Sequence, residues 1–269
     1  MRDLKFQTNY DITGGGRYIG ALSYRDGHLQ YGSYLPMPHD LLAQFDARRT
    51  GITLSNLSLK SGQSQLLLNA SLDNYTSPNI HAKYAIILAT GDLTRVLENP
   101  SLPNGVVLVN GSADYASVPG RSLLETAALE GSIRSAVLRL RTPTSRTDIR
   151  DVNAYYRLSK GDVELRNIDA RLLGGQLRGT ATIRDLSGKQ QGHIAVALHN
   201  LSLAELKTVA NSAALNSVSI SGHVDANSEA SWTGSISNLV ARADAMADGS
   251  IASAQPNRNT SGESNERAR

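Results

Sequence analysis

Apolar and polar residues alternate one by one over several short segments of this chain. Residues 176–184, 194–199 and 217–224 each carry aliphatic or small side chains at every second position, with Arg, Thr, Ser, Ala or His between them. A period of two is the repeat of a β-strand, whose successive side chains point to opposite faces of a sheet. The pattern therefore predicts strands with one apolar and one polar face, which is typical of antiparallel sheets.

Short polar turns and one short helix per unit punctuate these strands. We expect turns at Asp73-Asn74 and at 185–188, where Asp, Asn, Ser and Gly cluster between apolar segments. Residues 201–209 have helical apolar spacing and a capping box formed by Ser202 and Glu205. Residues 91–97 are the counterpart of this helix earlier in the chain.

The sequence repeats itself without gaps at one constant offset, the offset that aligns Ile52 with Val163. The other matched pairs include Leu54 with Leu165, Asn56 with Asn167, Leu57 with Ile168, Ala70 with Ala181, Gly111 with Gly222 and Asp114 with Asp225. A constant offset over this length indicates a duplicated unit, and a unit of this size must hold several strands.

The repeat divides the chain into four parts. Two units span 51–146 and 147–242, and we call them the first and the second unit. A truncated unit spans 1–50, because residues 15–20 match residues 174–179. We interpret the truncated unit as a cut through a longer array, with Met1 either a native start or a truncation. The remaining segment, 243–269, is polar and lacks periodicity, so we predict a disordered tail. The fold class predicted is all-β.

Composition removes several classes of function. Of the 269 residues 40% are hydrophobic and 19% charged, which is too apolar for disorder over most of the chain. The net charge of +3 comes without a basic run or interleaved aromatics, so nucleic-acid binding is not indicated. The absence of cysteine excludes disulfides, thiolate metal sites and a cysteine nucleophile.

No motif of catalysis or metal binding emerges from the remaining residues. The glycines at 14–16 and 174–175 precede strands and lack a following Lys-Ser/Thr, so we interpret them as turns. His193, His199 and His223 share the polar series and could approach one another, yet exposed strand histidines are the favoured interpretation. Because Asp114 and Asp225 recur, we assign them a turn or edge role. We expect no catalytic residue, metal or cofactor.

Trp232, the sole tryptophan, lies near the end of the last strand that the alternation identifies. It could anchor an interface, because tryptophan is enriched there, or it could pack at the edge of the unit. We favour packing.

The second unit resembles a known family. Asn167-Ile168, the turn Leu172–Gly175 and the strand Gln176–Ile183 are similar to the recurring unit of AsmA-like proteins, and in particular to the C-terminal part of TamB-type translocation and assembly proteins. The likeness spans about Leu4 to Trp232. It implies an elongated β-sheet folded into an open, taco-like groove in the bacterial periplasm. The full-length protein would be anchored in the inner membrane and would serve phospholipid transport and outer-membrane protein assembly with a barrel of the Omp85 class.

The pattern alone leaves the role of the apolar series open. An aliphatic face must be covered, either by closing on itself as a sandwich core or by holding acyl chains. The pattern favours the closed core, and the family resemblance favours the lipid groove. The residues that would contact lipid are Leu177, Ala181, Ile183, Val196, Leu198, Val218, Ile220 and Val224. Two alternatives are a structural or adhesive scaffold without lipid and, ranked last, a carbohydrate-active β-helix enzyme, which requires a much shorter repeat.

Overall fold

The fourteen strands in the described part of the chain form one antiparallel sheet in which every strand pairs with its neighbours in sequence. A computed structural model describes residues 3–12, 15–29, 35–99, 102–141, 146–210 and 218–253. The sheet is open, since β1 and β14 lie at opposite ends of the strand order. The all-β, antiparallel prediction is confirmed.

The strands are long, and most are joined by short turns. They are β1 Asp3–Asp11, β2 Arg17–Leu29, β3 Met37–Arg48, β4 Gly51–Ser61, β5 Ser64–Asp73, β6 Asn79–Ala89, β7 Asn104–Ala116, β8 Ala127–Arg141, β9 Arg146–Ser159, β10 Asp162–Leu172, β11 Gly175–Arg184, β12 Gln191–Ser202, β13 Val218–Thr233 and β14 Val240–Ser253. The predicted turns after β5 and β11 are confirmed. Gly15, Gly16 and Gly174 have positive φ, as expected of turn glycines, whereas Gly14 lies outside the described residues.

Three short helices interrupt the described part of the sheet. They are α1 Thr90–Val96, α2 Leu123–Thr126 and α3 Leu203–Ala210, and a single 3-10 turn spans Ile236–Asn238. Ser202 Oγ accepts a hydrogen bond from the Glu205 backbone N–H at 3.4 Å, so the predicted N-cap of α3 is present. The helix begins two residues later than predicted because β12 continues to Ser202. Helix α2 carries a complete capping box, formed by Ser122 and Glu125, that the sequence analysis missed.

The order of elements repeats every six strands. The run β4–β5–β6–α1–β7–β8 recurs as β10–β11–β12–α3–β13–β14, and the first residues of β4 and β5 precede those of β10 and β11 by the repeat offset. A β-bulge recurs at the same place, between Leu54 and Leu57 in β4 and between Leu165 and Ile168 in β10. The asparagines that the repeat matches therefore lie within the two bulges.

The outer boundaries of the predicted units differ from the observed structure. Residues 15–20 precede and begin β2, and residues 174–179 precede and begin β11, which lies nine strands later. The repeat has six strands, so β2 corresponds to β8 and not to β11. The likeness of 15–20 to 174–179 is therefore that of a turn and a strand, and residues 1–50 are not a truncated copy in phase with the other two units. Residues 243–253 are not a disordered tail, because they belong to β14 and pair with β13 along its length. Residues 254–269 lie outside the described part of the chain.

The described residues do not enclose a closed core. The buried apolar side chains among them are alanines and a single leucine, namely Ala43, Ala89, Ala127, Ala154, Ala170 and Leu201. No large side chain in this part of the chain is fully buried. The extensive contacts connect neighbouring strands, and the helices pack on strands beside them, so no second sheet within the described ranges covers the first.

Candidate functional site: the aliphatic face of the sheet

Strand register places the predicted lipid-contacting residues on one face of the sheet. Leu177 on β11 lies opposite Leu198 on β12, and Val196 lies opposite Gly179. Paired residues of an antiparallel sheet project to the same side, and residues two apart on a strand do so as well. Ala181 and the other β11 members of the series therefore share this side.

The same face continues across the bulge between β12 and β13. Leu198 pairs with Ala226, and after the bulge Leu201 pairs with Val224. Ile220 precedes Val224 at even spacing on β13, so both project to the same side, and Val218 begins that strand. The seven predicted residues whose side chains the structure describes thus lie on one side, which we call the aliphatic face; the opposite side is the polar face. These seven are half-buried, neither enclosed nor fully open to solvent.

A shallow, almost wholly apolar part of this face lies mainly in the first unit, which holds none of the residues predicted to contact lipid. A depression of about 460 Å³ crosses β5 to β9 and presents almost only apolar atoms. It is lined by Leu66, Leu68, Tyr84, Ile86, Val109, Leu129, Ile133 and Tyr156. A row of paired residues from Leu129 through Leu158 and Val163 to Ile183 joins it to the predicted residues.

One sequence signal could have located this depression. The repeat offset aligns Leu66 with Leu177, so the first unit should carry the same apolar series. The run Leu66-Leu67-Leu68 hid the alternation, because Leu67 is apolar yet projects from the polar face. Only the register, in which Leu66 pairs with Ile86 and Leu68 with Tyr84, separates the two series.

Two tyrosine side chains on the aliphatic face lie over two glycines of the strands between them. Tyr84 on β6, Gly111 on β7, Gly131 on β8 and Tyr156 on β9 form one paired row. The tyrosine hydroxyls meet over the glycines at 2.5 Å, and a Cβ at either glycine would overlap the Tyr156 hydroxyl. The glycines leave the space in which the aromatic rings lie flat on the sheet.

The same arrangement recurs elsewhere on the aliphatic face. The Phe45 ring covers Gly20 on the neighbouring strand and stacks on Phe6, with ring centroids 5.9 Å apart. Trp232 covers Gly192 across β12 and β13, which confirms its packing role, although β14 follows the strand that carries it. Aromatic rings thus replace missing side chains at three places and keep this face apolar across the glycines.

The tyrosine pair has one electrostatic consequence. Burial, together with the hydrogen bond to Tyr84, raises the pKa of the Tyr156 phenol above its usual range. The Tyr156 phenol is neutral at physiological pH, as an ordinary tyrosine is, and its hydroxyl is paired with the Tyr84 hydroxyl. The residues that line the depression include no Asp, Glu, Lys, Arg or His.

The polar face carries charged pairs between and along strands. Arg17 donates to Asp46 across β2 and β3 at 2.8 Å, and His81 lies 2.5 Å from Asp114 across β6 and β7. The His199 ring lies 3.6 Å from the Asp225 carboxylate. The recurring aspartates are thus within internal strands β7 and β13, so the turn or edge role assigned to them is wrong.

The polar-face histidines do not assemble into a site. His193 lies opposite Ser231 and His223 opposite Ser202. Among the described residues no group of three or more His, Cys, Asp or Glu side chains is placed to hold a metal ion. The expectation of no metal or cofactor stays a prediction.

The longest described helix, α3, has eight residues, and none in the described ranges is both long and apolar enough to cross a membrane. No protein-family model, curated protein or solved structure matches this chain. The likeness to AsmA-like proteins therefore depends on the motif residues of the second unit alone.

Proposed function

We propose that this chain shields phospholipid acyl chains on the aliphatic face of its sheet. The observation that supports the proposal is the continuity of this face from the depression on β5–β9 to the predicted residues on β11–β13. Nothing in the described part of the chain covers it except short helices. Leu203 of α3 packs on Gly249 at one end and leaves the depression open.

The dimensions suit hydrocarbon that moves or lies across the strands. With neighbouring strands about 4.8 Å apart, fourteen strands make a sheet roughly 60 Å wide. That width exceeds what a single small ligand needs, whereas it suits a surface that works along its length. Removing apolar surface from water yields about 25 cal/mol per Å² without directional demands, so acyl chains are suitable occupants of a half-buried aliphatic face.

The wider role follows from the family resemblance. We propose a segment of a TamB/AsmA-like protein of the bacterial periplasm that serves phospholipid transport and outer-membrane assembly. Its partners would be phospholipids and a barrel of the Omp85 class, and the protein would not be an enzyme. The open sheet and its recurring six-strand unit are compatible with this role.

Lipid recovery from purified protein tests the proposal. We expect phospholipid in extracts analysed by mass spectrometry, and at least a tenfold loss in the Val196→Arg/Ile220→Arg variant, because an unpaired cation is costly to place against hydrocarbon. The matched control is Ala197→Arg/Ser219→Arg, which places the same charges one residue away on the polar face. Circular dichroism should report the same β-sheet content in all three proteins.

A second arm probes the depression itself. We expect Val109→Arg, at its centre, to lose lipid like the first variant, while Asn110→Arg, on the polar face, keeps it. Wild-type protein free of lipid, with no uptake from added phospholipid, would contradict the proposal. That result would favour the structural or adhesive scaffold instead.

A further inference from the structure

An apolar patch interrupts the polar face over β5, β6 and β7. Leu67, Ile87, Val106 and Leu108 are 41%, 41%, 45% and 41% exposed, which is more than the half-buried residues of the aliphatic face. Ile87 pairs directly with Leu108, and Leu67 pairs with Ala85, two residues from Ile87. These side chains therefore form one contiguous surface rather than isolated exposed residues.

The second unit shows that the fold does not require this patch. Gln65 and Gln176 occupy equivalent positions, and they pair with Ile87 and His199, respectively. The same repeat offset aligns Leu67 with Arg178. The equivalent positions of the second unit are thus charged or polar, as expected for a solvated sheet face. The aliphatic side chains of the first unit need another explanation.

Basic side chains surround the patch. Lys60 on β4, Lys83 on β6 and Arg134 on β8 are all exposed at its edges. The acids Asp40 and Glu130 lie further from its centre, opposite Lys60 and beyond Lys83. Beside Val106, Asp92 and Arg95 of α1 place one acid and one base at the edge of the patch. Two copies of this surface would bring like charges together, which disfavours self-association through it.

We propose that this patch docks on the surface of an anionic lipid bilayer. The apolar side chains would enter the headgroup region, and the surrounding cations would attract anionic headgroups. Peptides generally bind a sheet at its edge or in a groove, whereas these residues lie on the open face of three internal strands. The proposal concerns the polar face and does not depend on lipid held by the aliphatic face.

Co-sedimentation with vesicles tests this surface. Vesicles of phosphatidylglycerol and phosphatidylcholine in equal parts should bind the full chain at low salt, and phosphatidylcholine vesicles should bind it far less. Lys83→Gln/Arg134→Gln should weaken binding roughly tenfold or more, because each surface cation contributes about fivefold. The control Arg184→Gln/Lys189→Gln removes two exposed cations of the second unit and should leave binding close to that of the wild type.

The apolar contribution is tested separately. Leu67→Thr/Ile87→Thr/Leu108→Thr introduces strand-compatible side chains and should also weaken vesicle binding, while lipid recovered from the aliphatic face stays unchanged. Equal binding to charged and uncharged vesicles, or unaltered binding by both variants, would overturn the proposal. Binding of a polyglutamate peptide with the same dependence on these residues, and no vesicle binding, would also overturn it and assign the surface to an acidic protein.

Discussion

Individual glycines on the aliphatic face act through the aromatic rings that lie over them. Gly111 and Gly131 create the space beneath Tyr84 and Tyr156, and no other residue type would leave it. The aromatic rings provide the apolar surface that the glycines lack, and the two hydroxyls form a hydrogen bond with each other. The apolar lining of the depression thus depends on residues that contribute almost no apolar surface themselves.

Gly111→Ala tests this dependence. The added methyl would overlap the Tyr156 hydroxyl and crowd the Glu130 backbone oxygen, so we expect a loss of about 1–3 kcal/mol in the free energy of unfolding. Chemical denaturation provides the measurement. The control is Gly91→Ala in α1, where the new methyl meets only the Asn104 amide at 3.9 Å and helix propensity favours alanine. Equal stability of the Gly111→Ala variant and the wild type would contradict the crowding argument.

The same β-bulge occurs at matched sequence positions in β4 and β10, so the sequence repeat and the structural repeat coincide there. It shifts the register of β4 and β10 by one residue, so aliphatic side chains before and after it remain on the same face. Asn167 has a φ of 51° within the β10 bulge, a left-handed conformation that asparagine tolerates better than most residues. Asn167 therefore has a structural role in its bulge, whereas Asn56, at the matched position of β4, does not have a positive φ.

Replacing Asn167 by valine should expose that requirement. A β-branched residue in a left-handed conformation costs about 1–2 kcal/mol, so the Asn167→Val variant should unfold at lower denaturant concentration. Asn167→Gly should be close to the wild type or more stable, because glycine adopts this conformation freely. If the two variants lose the same stability, the role lies in the side chain and not in the backbone.

The whole molecule is quasi-one-dimensional. Each strand makes its extensive contacts with its neighbours in sequence, and the Tyr84–Tyr156 hydrogen bond between β6 and β9 is an exception to this pattern. Stability in such a chain is approximately a sum of neighbouring interfaces, as in solenoids. The aliphatic face can therefore stay uncovered without loss of the fold, which a closed sandwich could not allow.

Truncation after Thr233 tests this independence. Loss of β14 should leave β13 as an edge strand with faster amide exchange, because its hydrogen bonds to β14 are gone. Strands β4 to β8 should keep their protection, since they make no extensive contact with β14. Hydrogen-exchange mass spectrometry distinguishes this outcome from cooperative loss of protection throughout the sheet.

Local periodicity was enough to predict much of this architecture. The alternation at 176–184 and 194–199 predicted strands β11 and β12 and the side to which each residue projects, because a strand has a fixed period of two. The repeat offset predicted the recurrence of β4 and β5 as β10 and β11. Strand β14 was not predicted because its sequence is rich in Ala, Asp and Ser, which have a weak intrinsic preference for strands. Pairing with β13 stabilises it nevertheless.

Local sequence is sufficient to identify the apolar residues, the alternating strands and the duplicated unit. Whether the apolar series would close into a core or stay open depended on which strands pair, and pairing is a property of the whole chain. The tertiary structure decided that the strands pair in sequence order and leave the sheet open. It also separated Leu66 from Leu67, and so placed one apolar surface on each side of the same three strands.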